Sequence, residues 1–159
     1  MKQTDNFKFD EANVMNELVY RNLSEDAKRQ ICAWKYGGEY DLYNLPSYEE
    51  MQVRQIGFMN PKSEKNYYGF WDESILVGFV NILEEKEEVF IGIGVNPDLC
   101  NKHYGQRMLL ITYEISKKLY PNKPLYLEVR TWNIRAVKCY QKAGFRIDGQ
   151  AYELTTGIG

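Results

Sequence analysis

Apolar runs rich in β-branched and aromatic residues lie in the middle of the chain between polar breaks, a pattern typical of β-strands. The pattern covers residues 66–71, 75–83 and 88–95, and short polar or acidic turns separate the three runs. Turns this short join antiparallel neighbours, whereas parallel neighbours need a long crossover. The sequence therefore predicts a meander of three antiparallel strands.

Helical signals lie before this meander. Ser24 precedes two acidic residues, which is typical of a helix start, and predicts a helix over about 25–36. Gly37 and Gly38 end that helix, and Ser47 is placed to cap a second, short one. A run over 17–23 is the candidate for a first strand.

Further helices follow the meander. Apolar residues recur at helical spacing from Gly105 to about Tyr120, and a second helix over 133–142 is closed by Gly144 as a left-handed cap. A short strand is predicted over 125–130 between these helices. The last strand candidates are 145–147 and 152–154.

This order predicts an α/β protein of the α+β kind. We expect a mixed, mainly antiparallel central sheet of six to seven strands with helices on both faces. The 159 residues fit one domain over 1–159, in which residues 1–16 form a loosely held arm or a short helix.

Composition narrows the function. Twenty basic and 22 acidic residues give a formal charge of −2, which is the wrong sign for binding a nucleic acid backbone. No stretch has the length of a membrane span, and the first ten residues lack the apolar core of a signal peptide. We therefore expect a cytoplasmic protein without a nucleic acid or membrane partner.

Cysteine and histidine are scarce. Cys32, Cys100 and Cys139 are far apart and without a CxxC pair, so we expect free thiols. The single histidine, His103, makes a histidine-based metal site or a Ser-His-Asp triad hard to assemble. No metal is expected.

The segment LYLEVRTWNIRAVKCYQKAGF, residues 125–145, carries candidate chemistry. Asn133 at a strand end has amide groups that could bind a peptide-like ligand, and Tyr140, two helical turns later, shares its helix face. The alternative is that Asn133 only caps the helix and Tyr140 packs in the core.

The pattern of Asn133, Arg135, Ala136, Tyr140 and Gly144-Phe145 resembles the GNAT superfamily of N-acetyltransferases, which transfer an acetyl group from acetyl-CoA to an amine. The resemblance, with the order of elements, covers roughly residues 17–152. It implies that Asn133, Ala136 and Tyr140 contact acetyl-CoA as the co-substrate.

A second segment, IGIGVNPDLCNKHYGQRML at residues 91–109, resembles the family's strand, turn and pyrophosphate loop. The final glycine of the loop motif is Gly105, but Cys100 and His103 stand where the family has Arg or Gln and its first Gly. The loop can form with His103 if that residue has a negative φ. The resemblance implies a cofactor site made of Cys100, Asn101, Lys102, His103, Tyr104, Gly105 and Gln106.

The strand before this loop contains Gly92 and Gly94, whose bare backbone would let a ligand lie along the strand edge. The family holds pantetheine at a splay between this strand and the one before Asn133. The resemblance therefore places Ile93, Gly94 and Val95 at the cofactor. A bulge or tight helix packing is the alternative explanation for the glycines.

Direct transfer needs an acid for the departing thiolate, a polarised thioester carbonyl and a deprotonated amine. The resemblance implies Tyr140 as the acid and a backbone N–H near 93–95 for the carbonyl. Family members often use a Glu near this strand as the base, which points to Glu88, although a solvated charge at a strand end is the alternative.

Aromatic residues concentrate between Trp34 and Tyr68. Trp34, Tyr36 and Tyr43 are the candidates for an acceptor wall that binds the amine of a small molecule or peptide by cation-π and hydroxyl contacts. Packing of a helix pair on the sheet is the alternative.

Two other functions stay open. The altered loop is compatible with an acyl-CoA-binding module that lacks transferase activity, and the aromatic segment with an interaction domain that binds no CoA. The short C-terminal region leaves both a monomer and a homodimer open.

Overall fold

The computed structural model of the protein describes residues 1–3 and 18–147. Within them the helices are α1 (Glu25–Ala33), α2 (Tyr48–Arg54), α3 (Tyr104–Leu119) and α4 (Ile134–Lys142). The strands are β1 (Lys2–Gln3), β2 (Val19–Asn22), β3 (Tyr67–Asp72), β4 (Ile75–Glu84), β5 (Val89–Val95), β6 (Leu125–Tyr126) and β7 (Phe145–Arg146). Short 3₁₀ helices lie at Gly38–Tyr43, Gly57–Met59, Glu64–Asn66 and Pro97–Leu99.

These strands form one sheet in the order β2-β3-β4-β5-β6-β1-β7. The long strands β3, β4 and β5 make the predicted meander, and their ladders are antiparallel. Among the described ladders only β5 and β6 pair in parallel. The prediction of a mixed, mainly antiparallel sheet is confirmed.

Different helices cover the two faces of the sheet. Val80 and Ile82 of β4 belong to the core cluster that includes Met108 and Leu109 of α3. Phe79, on the opposite face of the same strand, packs against the cluster built around α1 and α2. This period of two along β4 is why one apolar strand supports helices on both sides.

Local sequence signals set the helix boundaries. The Ser24 hydroxyl accepts a hydrogen bond from the Ala27 N–H at 3.1 Å, which caps the start of α1 as predicted. The chain then becomes extended at Trp34, with φ −64° and ψ 134°, so α1 ends three residues earlier than predicted. The Trp34 ring packs near Phe79 at 6.3 Å between centroids, which holds it on the sheet.

The two ends of the chain differ from expectation. Lys2 and Gln3 form β1, which lies between β6 and β7, so the prediction of a loose arm is wrong for these residues. The rest of that arm, residues 4–16, and the strand candidate 152–154 lie outside the described residues.

A buried lysine joins the helical layer to the chain before the meander. Lys28 is only 1 % exposed, and its ammonium lies 3.0 Å from Glu25 and 3.3 Å from Glu64. Burial alone would lower the pKa of Lys28, but the hydrogen bonds to both carboxylates raise it above its usual value. The Tyr48 hydroxyl and Lys28 hold the pKa of Glu25 below its usual value. This cluster therefore stays ionised at neutral pH.

We predict that Lys28→Ala destabilises the protein by about 2–4 kcal/mol, because it removes a buried four-carbon stem as well as the charge. Lys28→Met keeps the stem and leaves two solvent-facing carboxylates, so we expect a loss of about 1 kcal/mol or less. Urea unfolding measures both. Equal losses of unfolding free energy in the two variants would show that the charge of Lys28, and not the packing of its stem, stabilises the protein.

Candidate active site

Strands β5 and β6 separate soon after they meet. Their ladder contains only the pairs Val89–Leu125 and Phe90–Tyr126, while β5 continues to Val95. Leu127 does not continue the ladder: its N–H donates to the Met1 carbonyl at 2.9 Å. Among the described residues, the β5 edge from Ile91 to Val95 thus borders an opening, which we call the splay. The strand predicted over 125–130 is thus shortened to the two residues Leu125–Tyr126.

Hydrogen bonds at the ends of β5 define which amides face the splay. The Val89 N–H donates to the Pro124 carbonyl on the β6 side at 2.8 Å, and the Asn96 N–H donates to Val77 on the β4 side at 2.8 Å. Because backbone groups alternate sides along a strand, Ile93 and Val95 direct their N–H groups into the splay.

The glycines of β5 have a different role from the one predicted. Gly94 has the same backbone orientation as Asn96, so its amide faces β4 and not the splay. A Cβ at Gly94 would lie 2.4 Å from the Phe79 ring, which explains the missing side chain. A Cβ at Gly92 would make only ordinary contacts, 3.5 Å from Asn81 and 3.8 Å from Phe90. The packing around Gly92 therefore does not itself require a glycine.

The loop before α3 takes a conformation that glycine usually adopts. Asn101 and His103 both have φ +66°, in the left-handed region. The condition of a negative φ at His103 is therefore not met, yet α3 starts at the next residue with His103 as its N-cap. Asn101, Lys102 and His103 are exposed. Asn101 and His103 thus adopt a conformation for which glycine is the easier residue.

The other side chains of this segment are engaged with the protein. The Tyr104 hydroxyl donates to Asp72 at 2.6 Å, and the Gln106 side chain donates to the Lys142 carbonyl at 3.4 Å. The Cys100 thiol lies 3.7 Å from the Asn96 carbonyl, and burial raises its pKa. At Gly105 a Cβ would lie 3.1 Å from Cys139 and 3.6 Å from Val95, so α3, α4 and β5 meet there. The backbone N–H groups of the first turn of α3 are what this loop offers a ligand.

Asn133 has the capping role that the sequence analysis gave as the alternative to ligand binding. It is the N-cap of α4: its Oδ1 accepts from the Ala136 N–H at 3.1 Å. Its Nδ2 donates to the Tyr43 hydroxyl at 3.0 Å, and the residue is 7 % exposed. The sequence predicted free amide groups, but they are engaged with the start of α4 and with Tyr43. Tyr43 belongs to residues 34–44, which we call the acceptor segment.

Tyr140 lies two turns into α4. Burial of its hydroxyl raises the pKa of the phenol well above its usual value, and the neighbouring Cys139 and Tyr43 add to the effect. Among the described residues no hydrogen bond to this hydroxyl is formed. Burial also raises the pKa of the Cys139 thiol to about 11, so that thiol is neutral and unsuited to act as a nucleophile.

Two of the three predicted acceptor residues reach the site. The Tyr36 hydroxyl donates to the Val95 carbonyl at 2.5 Å, and Tyr43 contacts Asn133. Burial raises the pKa of the Tyr36 phenol. Trp34 instead packs beside the core cluster around α1 and α2, which is the alternative that the sequence analysis gave for it.

An aromatic group that was not predicted from the sequence lies beside Tyr43. Trp132 lies 5.5 Å from Tyr40 and 6.2 Å from Tyr43 between ring centroids. The Arg135 guanidinium lies 4.2 Å from the Tyr40 ring. Trp132 and Arg135 lie within two residues of Asn133 in the sequence. This proximity to a predicted site residue could have identified them.

Glu88 is not part of this site. It precedes β5, and Val95 lies six residue steps beyond Val89, about 20 Å along an extended strand. Its carboxylate pairs with Lys2 at 3.6 Å. The hypothesis that Glu88 is the general base is therefore wrong, because the strand separates it from the other site residues.

Two further findings concern ligands and membranes. Within residues 1–3 and 18–147, no group of three or more His, Cys, Asp or Glu side chains is arranged to hold a metal ion. No helix in the same residues has the length and apolar character needed to cross a bilayer.

Comparisons with known proteins agree with the geometry. Solved structures similar to this chain include a chimera of the spermidine N-acetyltransferase from Vibrio cholerae, with a TM-score of 0.70, 20% identity, and coverage of 84% of this chain and 82% of the other. The same Vibrio cholerae enzyme in complex with CoA and spermine gives a TM-score of 0.68 at 19% identity, covering 84% and 83%. A GNAT-family acetyltransferase from Streptococcus pneumoniae gives 0.63 at 23% identity, covering 89% and 94%.

No curated protein sequence matches the chain. The model of the acetyltransferase (GNAT) family matches residues 28–145, which include the meander, the loop before α3 and the whole of α4. The chain therefore belongs to the GNAT acetyltransferase family.

Proposed function

We propose that this protein transfers an acetyl group from acetyl-CoA to a primary amine of a small molecule or peptide. The observation that supports the proposal is the splay: among the described residues, the Ile93 and Val95 amides of β5 have no strand partner, and Val95 meets the start of α3 and Cys139 of α4 at Gly105. A narrow opening lined by directed N–H groups suits an extended chain of amides such as pantetheine.

The diphosphate of the cofactor would lie at the start of α3. Tyr104, Gly105 and Gln106 lie in the first turn, where backbone N–H groups have no partner within the helix. The N-terminal end of the helix dipole favours an anion, and Lys102 adds a cation nearby. The altered loop sequence is compatible with this, because backbone groups supply the donors.

Tyr140 is suited to protonate the departing thiolate. The amine nitrogen forms a bond to the acetyl carbon, the carbon–sulfur bond breaks, and the sulfur takes the phenol proton. The proton that the amine gives up would pass to solvent water, from which the Tyr140 phenolate would regain one. A phenol whose pKa is raised by burial is protonated at neutral pH, as an acid must be before it donates. The N–H of Ile93 or Val95 would polarise the carbonyl oxygen.

The acceptor would enter beside the 3₁₀ helix Gly38–Tyr43. Tyr40, Tyr43 and Trp132 form an aromatic wall there, and Glu39 and Asp41 are exposed on the same short helix. Rings and carboxylates together favour a cationic amine. Similar solved structures include spermidine N-acetyltransferases, so polyamines belong in the first panel of acceptors.

The proposal is tested by calorimetric titration with CoA, followed by a thiol-release assay with acetyl-CoA and a panel of amines, amino acids and peptides. Binding with amine-dependent release supports it. CoA binding without thiol release on any amine would favour an acyl-CoA-binding module. No binding of CoA at all would contradict acetyl transfer by this protein.

We predict that Tyr140→Phe lowers kcat by about 10²-fold or more, the loss typical of a removed general acid, and leaves the Kd for CoA nearly unchanged. In the wild type, kcat should not fall near pH 10, the usual pKa of tyrosine, because burial raises the pKa of Tyr140. Steady-state kinetics across pH measure both. An unchanged kcat in the variant would remove Tyr140 from the acid role.

We predict that Asn133→Ser weakens CoA binding about tenfold, the effect of losing one or two hydrogen bonds, with little loss of stability. Serine also caps helices, so the variant keeps the capping hydrogen bond and removes only the carboxamide group. Tyr43→Phe is the matched control, because it removes only the hydroxyl that Asn133 contacts. Unchanged CoA binding in Asn133→Ser would assign the residue to capping alone.

We predict that His103→Gly raises the free energy of unfolding by about 0.5–1 kcal/mol, since glycine accepts a φ of +66° without strain. CoA binding should be retained or tightened. Lys102→Gly is the control, because Lys102 is not among the residues with positive φ. Thermal unfolding distinguishes them, and weaker CoA binding in His103→Gly would mean that the imidazole itself binds the cofactor.

A further inference from the structure

A long-range hydrogen bond joins the start of α3 to the meander. The Tyr104 hydroxyl donates to the Asp72 carboxylate at 2.6 Å, although 32 residue positions separate the two in the sequence. Tyr104 is the first residue of α3, and Asp72 is the last residue of β3. The bond therefore fixes one end of this helix against the tip of the β3–β4 hairpin.

The same face of α3 packs closely on the sheet one turn further along. Met108 is four residues after Tyr104 and so lies on the same face of the helix. A Cβ at Gly78 of β4 would lie only 2.5 Å from the Met108 sulfur, so helix and sheet are in close contact at that point. The hydrogen bond between Tyr104 and Asp72 extends this contact to the first residue of the helix.

The start of α3 lacks the side-chain cap that the other described α-helices have. Ser24, Ser47 and Asn133 each accept a hydrogen bond from a backbone N–H in the first turn of α1, α2 and α4. Within the described residues His103, the N-cap of α3, forms no such bond with its side chain, and its φ is +66°. A cap therefore does not set the position of this turn, which depends on tertiary contacts instead.

Asp72 is unsuited to bind a phosphate itself, because a carboxylate and a phosphate carry charges of the same sign. Its hydrogen bond to Tyr104 has a charged acceptor, which makes it stronger than a bond between neutral groups. This bond, partial burial of the phenol and the charge of Asp72 raise the pKa of Tyr104, so the hydroxyl keeps its proton at neutral pH. Any favourable effect of Asp72 on an anion at this turn therefore acts through Tyr104.

We infer that Asp72 is a positioning residue for the diphosphate of acetyl-CoA: through the Tyr104 hydroxyl it holds the first turn of α3 where the backbone N–H groups bind that diphosphate. The inference rests on the proposed acetyltransferase function, and it adds a residue of the meander that sets the affinity for the cofactor. The reacting thioester lies at the other end of acetyl-CoA. The contact should therefore affect cofactor binding and not the chemical step.

The test compares acetyl-CoA with S-acetylpantetheine, which has the same thioester but no diphosphate. Tyr104→Phe removes only the hydroxyl, and we expect KM for acetyl-CoA to rise about fivefold, the effect of one hydrogen bond, with kcat unchanged. For S-acetylpantetheine we expect kcat/KM to stay as in the wild type. Equal losses with the two acetyl donors would mean general damage to the fold and would overturn the positioning role.

Variants of Asp72 give a second measurement by calorimetric titration with CoA. Asp72→Ala should raise the Kd about fivefold, whereas Asp72→Asn keeps an acceptor oxygen for Tyr104 and should bind CoA as the wild type does. Glu73→Ala is the matched control, because it removes the neighbouring, exposed carboxylate, and it should leave the Kd unchanged. Tighter binding in Asp72→Ala, or equal weakening in Asp72→Asn, would contradict a role that acts through Tyr104.

Failure of this inference is distinguishable from failure of the proposed function. A wild type that neither binds CoA nor releases thiol from acetyl-CoA contradicts the proposed function. An active wild type whose Tyr104→Phe variant keeps the KM for acetyl-CoA contradicts the role of Asp72 alone. If Asp72→Ala does not fold, Tyr104→Phe still decides, since phenylalanine keeps the ring and its packing.

Discussion

The structure depends on the point where β6 leaves β5. Two residue pairs hold the strands together, and beyond them the β5 edge keeps amides that a continuous sheet would have paired. Unpaired backbone groups in a folded protein are costly unless water or a ligand satisfies them. Within the described residues, the opening therefore has a hydrogen-bonding edge without a strand partner, and α3 and α4 pack beside it at Gly105.

Two tyrosines join the acceptor segment to this opening. Tyr36 donates to the last carbonyl of β5, and Tyr43 accepts from Asn133 at the start of α4. Asn44 closes the segment between them by accepting from the Tyr36 N–H at 2.6 Å. The segment that would meet the acceptor is thus held by the residues that would meet the cofactor.

The loop before α3 holds two residues with side chains in a conformation that favours glycine. Asn101 and His103 adopt left-handed conformations that cost a side chain roughly 1–2 kcal/mol. The packing of α3 against β5 and α4 supports this shape, since Gly105 leaves just enough space for Cys139. Conformation, and not glycine content, is what brings the first turn of α3 to the splay.

The sequence by itself determined the meander, the starts of α1 and α4, the mixed sheet and the family, because these follow from β-branched and aromatic runs, capping residues and local motif spacing. It did not determine that Glu88 lies at the far end of β5, that Asn133 is engaged by Tyr43, or that β1 enters the sheet beside β6. Those facts depend on which distant segments meet. Local periodicity has no information about such contacts, because they are decided by long-range pairing and by the packing of helices on both faces of the sheet.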